Sequence, residues 1–392
     1  MHIFNRKTKS FFQNKFLLTL TASMALLSGC DTITDKQVQI DYSSPSSVVE
    51  AANHRDGADS AYDVGNVDNT STSEEELAAT SLKSADVLVA KEDIQTVADS
   101  TEVQYNPQTD LSVPTFVTQI DGLYFIVDCY HNEIIYSDNL DTYISNWSVM
   151  TSDVTQAHTI ASDGDVYLVD DTENNRVLVY EKCDGKFINT QVFNEIGNRP
   201  HYTVYDNWTD TFYTWSSTTG ELYCLRHGDD SNQMYLTEIR SIERLNSTYV
   251  RSFTIIGDLI YFVSGVSGAG GNASILCCEL STLDVVAEYA VPDTMAGMVQ
   301  ITPIDDYFYI TISTDATGSQ DAATIIRTNS LEGLMTGDYE DIYATYFVGG
   351  GTPYYISKVD NTYFLTEHRL AGHSVWSFNV VDNEIQNVIS IY

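Results

Sequence analysis

The chain has 392 residues, with 55 acidic against 19 basic side chains and a formal net charge of −36. An acidic excess of this size excludes nucleic acid and anionic membrane surfaces as electrostatic partners, because binding either requires Lys and Arg to neutralise phosphates. Residues 1–29 hold four of the basic residues and none of the acids, so the rest of the chain is more acidic still.

Residues 1–29 have the three zones of a secretory signal peptide. A basic start precedes an apolar run at 16–27, which is shorter than the roughly 20 residues that span a bilayer. The run ends in Leu27-Ser28-Gly29-Cys30, which resembles the bacterial lipobox at every position. The resemblance implies cleavage before Cys30 and a diacylglyceryl group, with palmitate-type chains, on that cysteine. We therefore expect an extracytoplasmic lipoprotein anchored at the cell surface or at the periplasmic face of a membrane.

Residues 30–113 predict an acidic, mostly disordered spacer. Residues 31–113 carry 17 acids against four bases and only three aromatic residues. Low hydrophobicity with high net charge leaves too little apolar surface to offset the entropy of ordering. Ser73 with Glu76 forms a capping box, which predicts a short helix at 74–82 within the spacer.

From residue 114 the sequence repeats. A tyrosine recurs within a short apolar run at spacings of 43, 46, 48, 48 and 54 residues, at positions Tyr124, Tyr167, Tyr213, Tyr261, Tyr309 and Tyr363. Each run is preceded by a strand-like segment with turn residues and followed by further strand-like segments, which makes about four short strands per unit. Six such units predict an all-β fold in which residues 114–392 form a six-bladed β-propeller. We expect the repeated tyrosine to pack between blades and to take no part in catalysis.

The second unit supports this fold by resemblance. Its Asp163-Gly164-Asp165-Val166-Tyr167-Leu168-Val169-Asp170 and Asn174-Asn175-Arg176-Val177 segments resemble an NHL repeat. Unit 1 keeps a weaker version that runs from Asp121-Gly122 to Asp128-Cys129-Tyr130-His131-Asn132-Glu133-Ile134. The resemblance implies a propeller, a fold that hosts binding proteins and enzymes alike.

Candidate ligand-binding residues lie where the innermost strand of each unit begins, because those positions face the central channel. Counting back from each tyrosine gives Phe116 and the polar or aromatic set His158, His201, Arg251, Gln300 and Tyr354. The set without Phe116 predicts a site at the mouth of the channel that binds a sugar, a carboxylate or a short peptide. The alternative is that these side chains satisfy one another.

No metal site or cofactor is expected beyond the lipid on Cys30. Glu367-His368-Arg369 with His373 matches no zinc spacing, and the acids at 163, 165, 170 and 171 do not match a Ca²⁺ loop. We interpret those acids as turn residues. The five later cysteines (Cys129, Cys183, Cys224, Cys277 and Cys278) show no CxxC spacing, which favours free thiols, although pairing stays open.

Three functions remain in competition. We favour a non-catalytic propeller that binds a protein or glycan partner, because no catalytic motif is recognisable. One alternative is a lactonase-, hydrolase- or lyase-like enzyme that acts on a small carbohydrate-type substrate, with His158 and His201 as the candidate catalytic residues. The other is an architectural subunit of an envelope complex, for which a large exposed apolar patch would be the sign. 

Overall fold

The computed structural model describes residues 104–105, 108–228, 231–267 and 272–392. Within them the predicted all-β class and the six-bladed propeller are confirmed, since six antiparallel sheets form the six blades. The predicted signal peptide, the lipobox, Cys30 and the helix at 74–82 lie outside the described residues. No helix in the described ranges is both long and apolar enough to cross a bilayer.

Each blade is made of four strands that follow one another in the chain. The innermost strands, in blade order, are β2 (Pro114–Ile120), β6 (Ile160–Ser162), β10 (Pro200–Asp206), β14 (Thr248–Ile256), β18 (Gly297–Ile304) and β22 (Thr352–Val359). The second strands are β3 (Leu123–Asp128), β7 (Tyr167–Asp171), β11 (Thr211–Ser216), β15 (Leu259–Ser267), β19 (Tyr307–Thr314) and β23 (Thr362–His368). The third strands are β4 (Glu133–Ser137), β8 (Arg176–Cys183), β12 (Glu221–His227), β16 (Ser274–Glu279), β20 (Thr324–Thr328) and β24 (Val375–Val381).

The outer strands are β5 (Ser148–Thr151), β9 (Lys186–Phe193), β13 (Met234–Ser241), β17 (Val285–Ala290), β21 (Glu340–Asp341) and β25 (Glu384–Ser390). A further strand, β1 (Gln104–Tyr105), pairs with β5 and gives blade 1 a fifth strand. Helical structure in the described part is limited to one or two turns. The 3₁₀ segments are Cys129–His131, Ile144–Asn146, Thr172–Asn174, Glu243–Leu245, Asp293–Met295, Gln320–Ala322 and Leu331–Thr336, and there is one α-helical turn at Tyr343–Tyr346.

The sequence dictates these hairpins through short turns. Between β2 and β3, Asp121 and Gly122 both have positive φ, 51° and 77°. Such a pair forms the two-residue turn whose twist matches antiparallel strands, and glycine reaches that conformation without steric cost. Turns of this kind bring the second strand back beside the first.

The core lies between blades. Six clusters of buried apolar side chains each join one blade to the next, so every sheet buries both faces. All six repeated tyrosines lie on second strands and pack in or against these clusters, with Tyr167, Tyr213 and Tyr309 almost fully buried. The predicted packing role of the repeat is therefore confirmed.

The ring closes by contact between β2 and β22, which belong to blades 1 and 6. No strand is shared across this seam, since blade 6 consists of consecutive strands. Trp147 of blade 1 donates from Nε1 to the Tyr392 hydroxyl over 3.1 Å, and that hydroxyl donates to the Leu140 carbonyl over 2.6 Å. The side chain of Tyr392 thus links the last blade to the first.

The five cysteines in the described part are free thiols. Four are buried and Cys183 is exposed. Burial raises the pKa of Cys224 and of Cys278 to about 12, so both remain protonated and act as small apolar side chains. The preference for free thiols is confirmed in these residues.

Candidate functional site

The channel has two ends, which we call the entry end, where the inner strands begin, and the exit end, where they finish. Four of the five predicted binding residues meet at the entry end. The rings of His158 and His201 stack with centroids 3.6 Å apart, and the Tyr354 ring stacks on His158 at 5.9 Å. Arg251 joins them because its carbonyl lies 3.0 Å from His201 Nδ1. We call these four residues the histidine cluster.

β-bulges direct three of these side chains. The register between inner and second strand shifts across Pro200/Tyr202, Val250/Phe253 and Pro353/Ile356, so His201, Arg251 and Tyr354 lie in the unpaired stretches. A bulge adds a residue to one strand and turns its side chain away from the regular alternation. His158 instead precedes β6, and its backbone N–H donates to the buried Asp170 carboxylate over 2.6 Å.

Internal hydrogen bonds occupy both imidazoles. His201 Nδ1 faces the Arg251 carbonyl, so it donates, and its Nε2 is left to accept from the Tyr354 hydroxyl at 3.3 Å. His158 Nδ1 lies 2.9 Å from the Thr172 hydroxyl, which itself donates to a backbone carbonyl. Its Nε2 is 3.9 Å from the Cys129 sulfur. Each ring nitrogen therefore has a partner within the protein.

Burial also makes these histidines weak bases. His158 and His201 are 1% and 0% exposed. Burial, followed by the positive charge of Arg199, lowers the pKa of His201 to about 3. Burial is also the main reason that the pKa of His158 lies well below its usual value. Both rings are neutral at physiological pH, and their basicity is far from the near-neutral pKa that suits a general base.

His368 is a channel residue that sequence reasoning did not place there. Its ring lies 6.3 Å from the Tyr354 ring, and neither of its nitrogens has a hydrogen-bond partner. Burial, with Arg369 and Arg251, lowers its pKa to about 4. It lies at the end of the second strand β23, whereas the predicted channel residues lie at the starts of inner strands. The residues near it in the sequence do not join it in the channel. Glu367 accepts hydrogen bonds from Tyr343 and Trp376, and the His373 ring stacks on Trp376.

Gln300, the fifth predicted residue, lies apart from the histidine cluster. It forms part of a cavity of ≈ 310 Å³ in the exit half of the channel. The lining comes from five of the six inner strands and comprises Phe116, Thr118, Tyr202, Val204, Tyr205, Asp206, Phe253, Thr254, Ile255, Gln300, Thr302, Ile356, Ser357 and Lys358. Gln300 Oε1 accepts from the Ile356 N–H over 2.6 Å, which fixes the carboxamide in the wall.

Strand alternation explains which residues reach this cavity. Every second residue of a strand faces the same side. Positions 116 and 118, 202, 204 and 206, 253 and 255, 300 and 302, and 356 and 358 follow this alternation, and Tyr205, Thr254 and Ser357 line the cavity from the positions between them. The inner part is aromatic and aliphatic, and hydroxyl groups follow toward the mouth. Such a wall offers flat apolar contact together with hydrogen-bonding groups.

The rim of the exit end is acidic. Every turn between an inner and a second strand carries at least one aspartate, at positions Asp121, Asp163, Asp165, Asp210, Asp258, Asp305, Asp306 and Asp360. Asp206 also lies in the cavity wall, where its carboxylate accepts from the N–H and hydroxyl of Thr209. Between these two residues Trp208 is 83% exposed. The mouth thus combines negative charge with an exposed indole.

The acidic group in blade 2 divides between two roles. Asp163 accepts from the N–H groups of Asp165 and Val166, as expected of a turn residue. Asp170 and Asp171 instead accept from the N–H groups of His158, Thr159 and Thr155, which precede the inner strand. These two carboxylates therefore position the entry-end segment.

No protein-family model and no curated protein matches this chain. Similar solved structures include a candidate 6-phosphogluconolactonase from Bacteroides uniformis ATCC 8492, with TM-score 0.50 and 12% identity over 76% of this chain and 95% of that chain. A second, from Bacteroides fragilis NCTC 9343, has TM-score 0.51 and 10% identity over 71% and 85%. Virginiamycin B lyase from Staphylococcus aureus has TM-score 0.48 and 17% identity over 74% and 88%. At these identities the first two show a shared propeller fold and nothing about activity.

Proposed function

We propose that this protein is an extracytoplasmic lipoprotein, anchored through Cys30, whose propeller is a non-catalytic module that binds a neutral glycan or a basic protein segment. The observation that carries the binding role is the exit-end cavity, which five separate inner strands line. The lipobox at Leu27, Ser28 and Gly29 supports the anchor. Two or more acyl chains give stable membrane binding where one gives only weak binding.

The chemistry of the cavity favours such a ligand. Its hydroxyls and the Gln300 carboxamide suit hydrogen bonds to a polyhydroxylated molecule, and its rings suit the apolar faces of a sugar. The aspartates around the mouth repel anionic ligands and attract basic ones. Lys358 is the single cationic side chain among the lining residues. We therefore expect neutral saccharides or Lys- and Arg-bearing segments to bind, and uronic acids or sulfated sugars to bind weakly.

The state of the histidine cluster favours binding over catalysis. His158 and His201 have internal partners at each ring nitrogen and lowered pKa values. A general acid or base must reach a substrate proton and have a pKa near the working pH. We infer that these residues hold the inner strands together at the entry end.

The binding test uses a variant that fills the cavity without removing a hydrogen bond. Thr302 lines the cavity, and its buried hydroxyl has no hydrogen-bond partner, so Thr302→Trp fills the space without removing a hydrogen bond. The matched control is Thr345→Trp, on an exposed position. A glycan and basic-peptide panel is screened by thermal shift with the full-length chain in detergent. A ligand at 100 times its Kd stabilises by about 2.7 kcal/mol.

The proposal requires that a ligand raise the unfolding temperature of the wild type and of Thr345→Trp, but not that of Thr302→Trp. A shift that survives in both variants would place the ligand elsewhere, and no shift across the panel would count against a cavity ligand. The anchor is tested separately by Cys30→Ser. We expect this change to abolish labelling by radioactive palmitate and to release the protein from the membrane fraction.

One observation favours the enzyme alternative. His158 and His201 come from adjacent blades and stack at 3.6 Å, which places two imidazoles side by side at one end of the channel. The matching assay measures turnover of a lactone panel by the wild type and by His158→Asn/His201→Asn. Turnover that disappears in the double variant, while the thermal unfolding temperature is retained, would replace the binding proposal. The architectural alternative has less support, because the exposed large apolar side chains are spread over five blades.

A further inference from the structure

The turns that join second and third strands in blades 1 and 2 have the same backbone design. Each follows an aspartate, Asp128 or Asp171, that accepts from a backbone N–H 16 residues earlier, at 2.8 and 2.7 Å. Each ends at a left-handed asparagine, Asn132 with φ 57° and Asn175 with φ 52°. Position by position, the two turns can therefore be compared directly.

The side chains around the aspartate differ. In blade 2, Asn174 donates to Asp171 over 2.9 Å and Arg176 donates to it over 2.5 Å, which neutralises the buried carboxylate. In blade 1, His131 stands in the place of Asn174, and Glu133 stands in the place of Arg176. The cation of blade 2 is thus replaced in blade 1 by a second carboxylate.

The three blade 1 side chains converge. One ligand atom from each of Asp128, His131 and Glu133 lies within 4.8 Å of the others. His131 Nδ1 is 2.7 Å from Asp128 Oδ2, and the side chains of Asp128 and His131 are 0% and 24% exposed. Glu133 is 6% exposed. Buried carboxylates in proteins are paired with cations or coordinate metals.

We propose that this turn is a divalent metal site in which Asp128, His131 and Glu133 hold an ion of the Zn²⁺ type. An imidazole nitrogen and two carboxylate oxygens form the mixed donor set that Zn²⁺ and its first-row neighbours accept, and three protein ligands leave a position for water. Ca²⁺ fits less well, because it takes six to eight oxygen ligands. The partial exposure of His131 provides a route for the ion.

The ion takes the electrostatic role that Arg176 has in blade 2. It neutralises two buried carboxylates at the place where the chain enters the first inner strand, since Asp128 also accepts from Ser112. The site lies at the entry end of the channel and shares no residue with the exit-end cavity. The proposed metal site is therefore independent of the proposed binding function.

The test compares Zn²⁺ binding by the full-length protein and by Glu133→Arg, which copies the blade 2 turn. Because Arg176 shows that this backbone accommodates arginine beside the aspartate, Glu133→Arg is expected to fold. His131→Asn copies the other blade 2 residue. Calorimetric titration with Zn²⁺ after EDTA treatment should give one site in the wild type, and each variant should lose about 100-fold or more in affinity. Circular dichroism verifies that each variant is folded.

The matched control is Glu279→Arg, the same charge change on an exposed residue of blade 4, which should bind Zn²⁺ like the wild type. Equal affinity in the wild type and in Glu133→Arg would overturn the proposal, as would a wild type that binds no Zn²⁺. Wild-type affinity for Ca²⁺ equal to that for Zn²⁺ would contradict the assigned donor preference. Retained ligand binding in the exit-end cavity by Glu133→Arg is expected, because the two sites are separate.

Discussion

In blade 2 the second strand ends in a carboxylate that an arginine neutralises, whereas in blade 1 the same strand ends in a carboxylate beside another acid. Blade 6 offers a third arrangement, in which Glu367 accepts from the neutral donors Tyr343 and Trp376. All three carboxylates lie four residues after the repeat tyrosine. An acid at this backbone position can therefore be buried in three ways: beside a fixed cation in blade 2, beside neutral hydrogen-bond donors in blade 6, and beside the metal ion that we propose for blade 1.

Removing the fixed cation Arg176 should reduce stability more than any other change considered for these turns. Arg176→Ala leaves Asp171 buried without its neutralising partner, which should destabilise the protein by about 3 kcal/mol or more. In the absence of metal, Glu133→Ala in blade 1 should have the opposite sign or no effect, because it removes one of two neighbouring acids. Urea unfolding in EDTA measures both. Equal losses in the two variants would mean that the turns do not differ electrostatically.

A second change transplants the blade 1 arrangement into blade 2. Asn174→His/Arg176→Glu places the proposed ligand set beside Asp171 in an equivalent turn. We expect destabilisation in EDTA and recovery of about 2.7 kcal/mol at Zn²⁺ concentrations 100 times the Kd of the new site. The measurement is unfolding with and without Zn²⁺, with Arg176→Ala as the control that should not respond to metal. A double variant insensitive to Zn²⁺ would show that the turn backbone and three donors are insufficient.

The blade 6 carboxylate predicts a pH dependence. Burial raises the pKa of Glu367 to about 7, above its usual 4.5. An acid whose pKa is raised by folding contributes stability that is complete at low pH and is lost as pH rises from about 4.5 through about 7. Its contribution should fall by up to about 1.4 kcal/mol per pH unit in that window. Glu367→Gln should reduce the slope of the unfolding free energy in urea between pH 5 and 8, while Asp170, whose pKa burial also raises to about 7, maintains part of it. An unchanged slope would contradict the assignment.

The smallest expected effect is at the seam. Tyr392→Phe removes the hydroxyl that accepts from Trp147, leaving a buried donor without its partner at a cost of about 1 kcal/mol. The control is Tyr143→Phe, because Tyr143 is 81% exposed and should change stability little. Thermal unfolding compares the two. Equal unfolding temperatures would show that the seam depends on apolar packing alone.

The fold could be predicted because its signals are local. Tyrosine spacing and turn residues predicted six units of about four short strands each, and all six tyrosines lie on second strands of the blades. The channel residues His158, His201, Arg251 and Tyr354 could be found for the same reason, since they occupy one position of a repeat. Their mutual stacking could not, because it depends on bulges that shift each strand differently.

Other features required the three-dimensional arrangement. The cavity around Gln300 is built from strands up to 240 positions apart, as in the contact of Ser357 with Val117, and no local pattern records it. His368 was not predicted as a channel residue, because it lies at the end of a second strand. Aligning the two turns shows that Glu133 occupies the place of Arg176. The sequence does not reveal that Glu133 is buried, and the proposed metal site depends on that burial.

The seam between blades 6 and 1 has a consequence for motion. Many closed rings are locked when one sheet takes strands from both ends of the chain, but here every blade is complete before the next begins. Opening the ring at this seam would leave every strand within its sheet, but it would break the Trp147–Tyr392 contact and also contacts across the channel, because the Tyr355 hydroxyl of blade 6 donates to the Arg251 carbonyl of blade 4 over 3.1 Å. The ring is therefore closed both by the seam and by the aromatic residues that blade 6 places in the channel, so Tyr354 and Tyr355 oppose separation of the first and last blades.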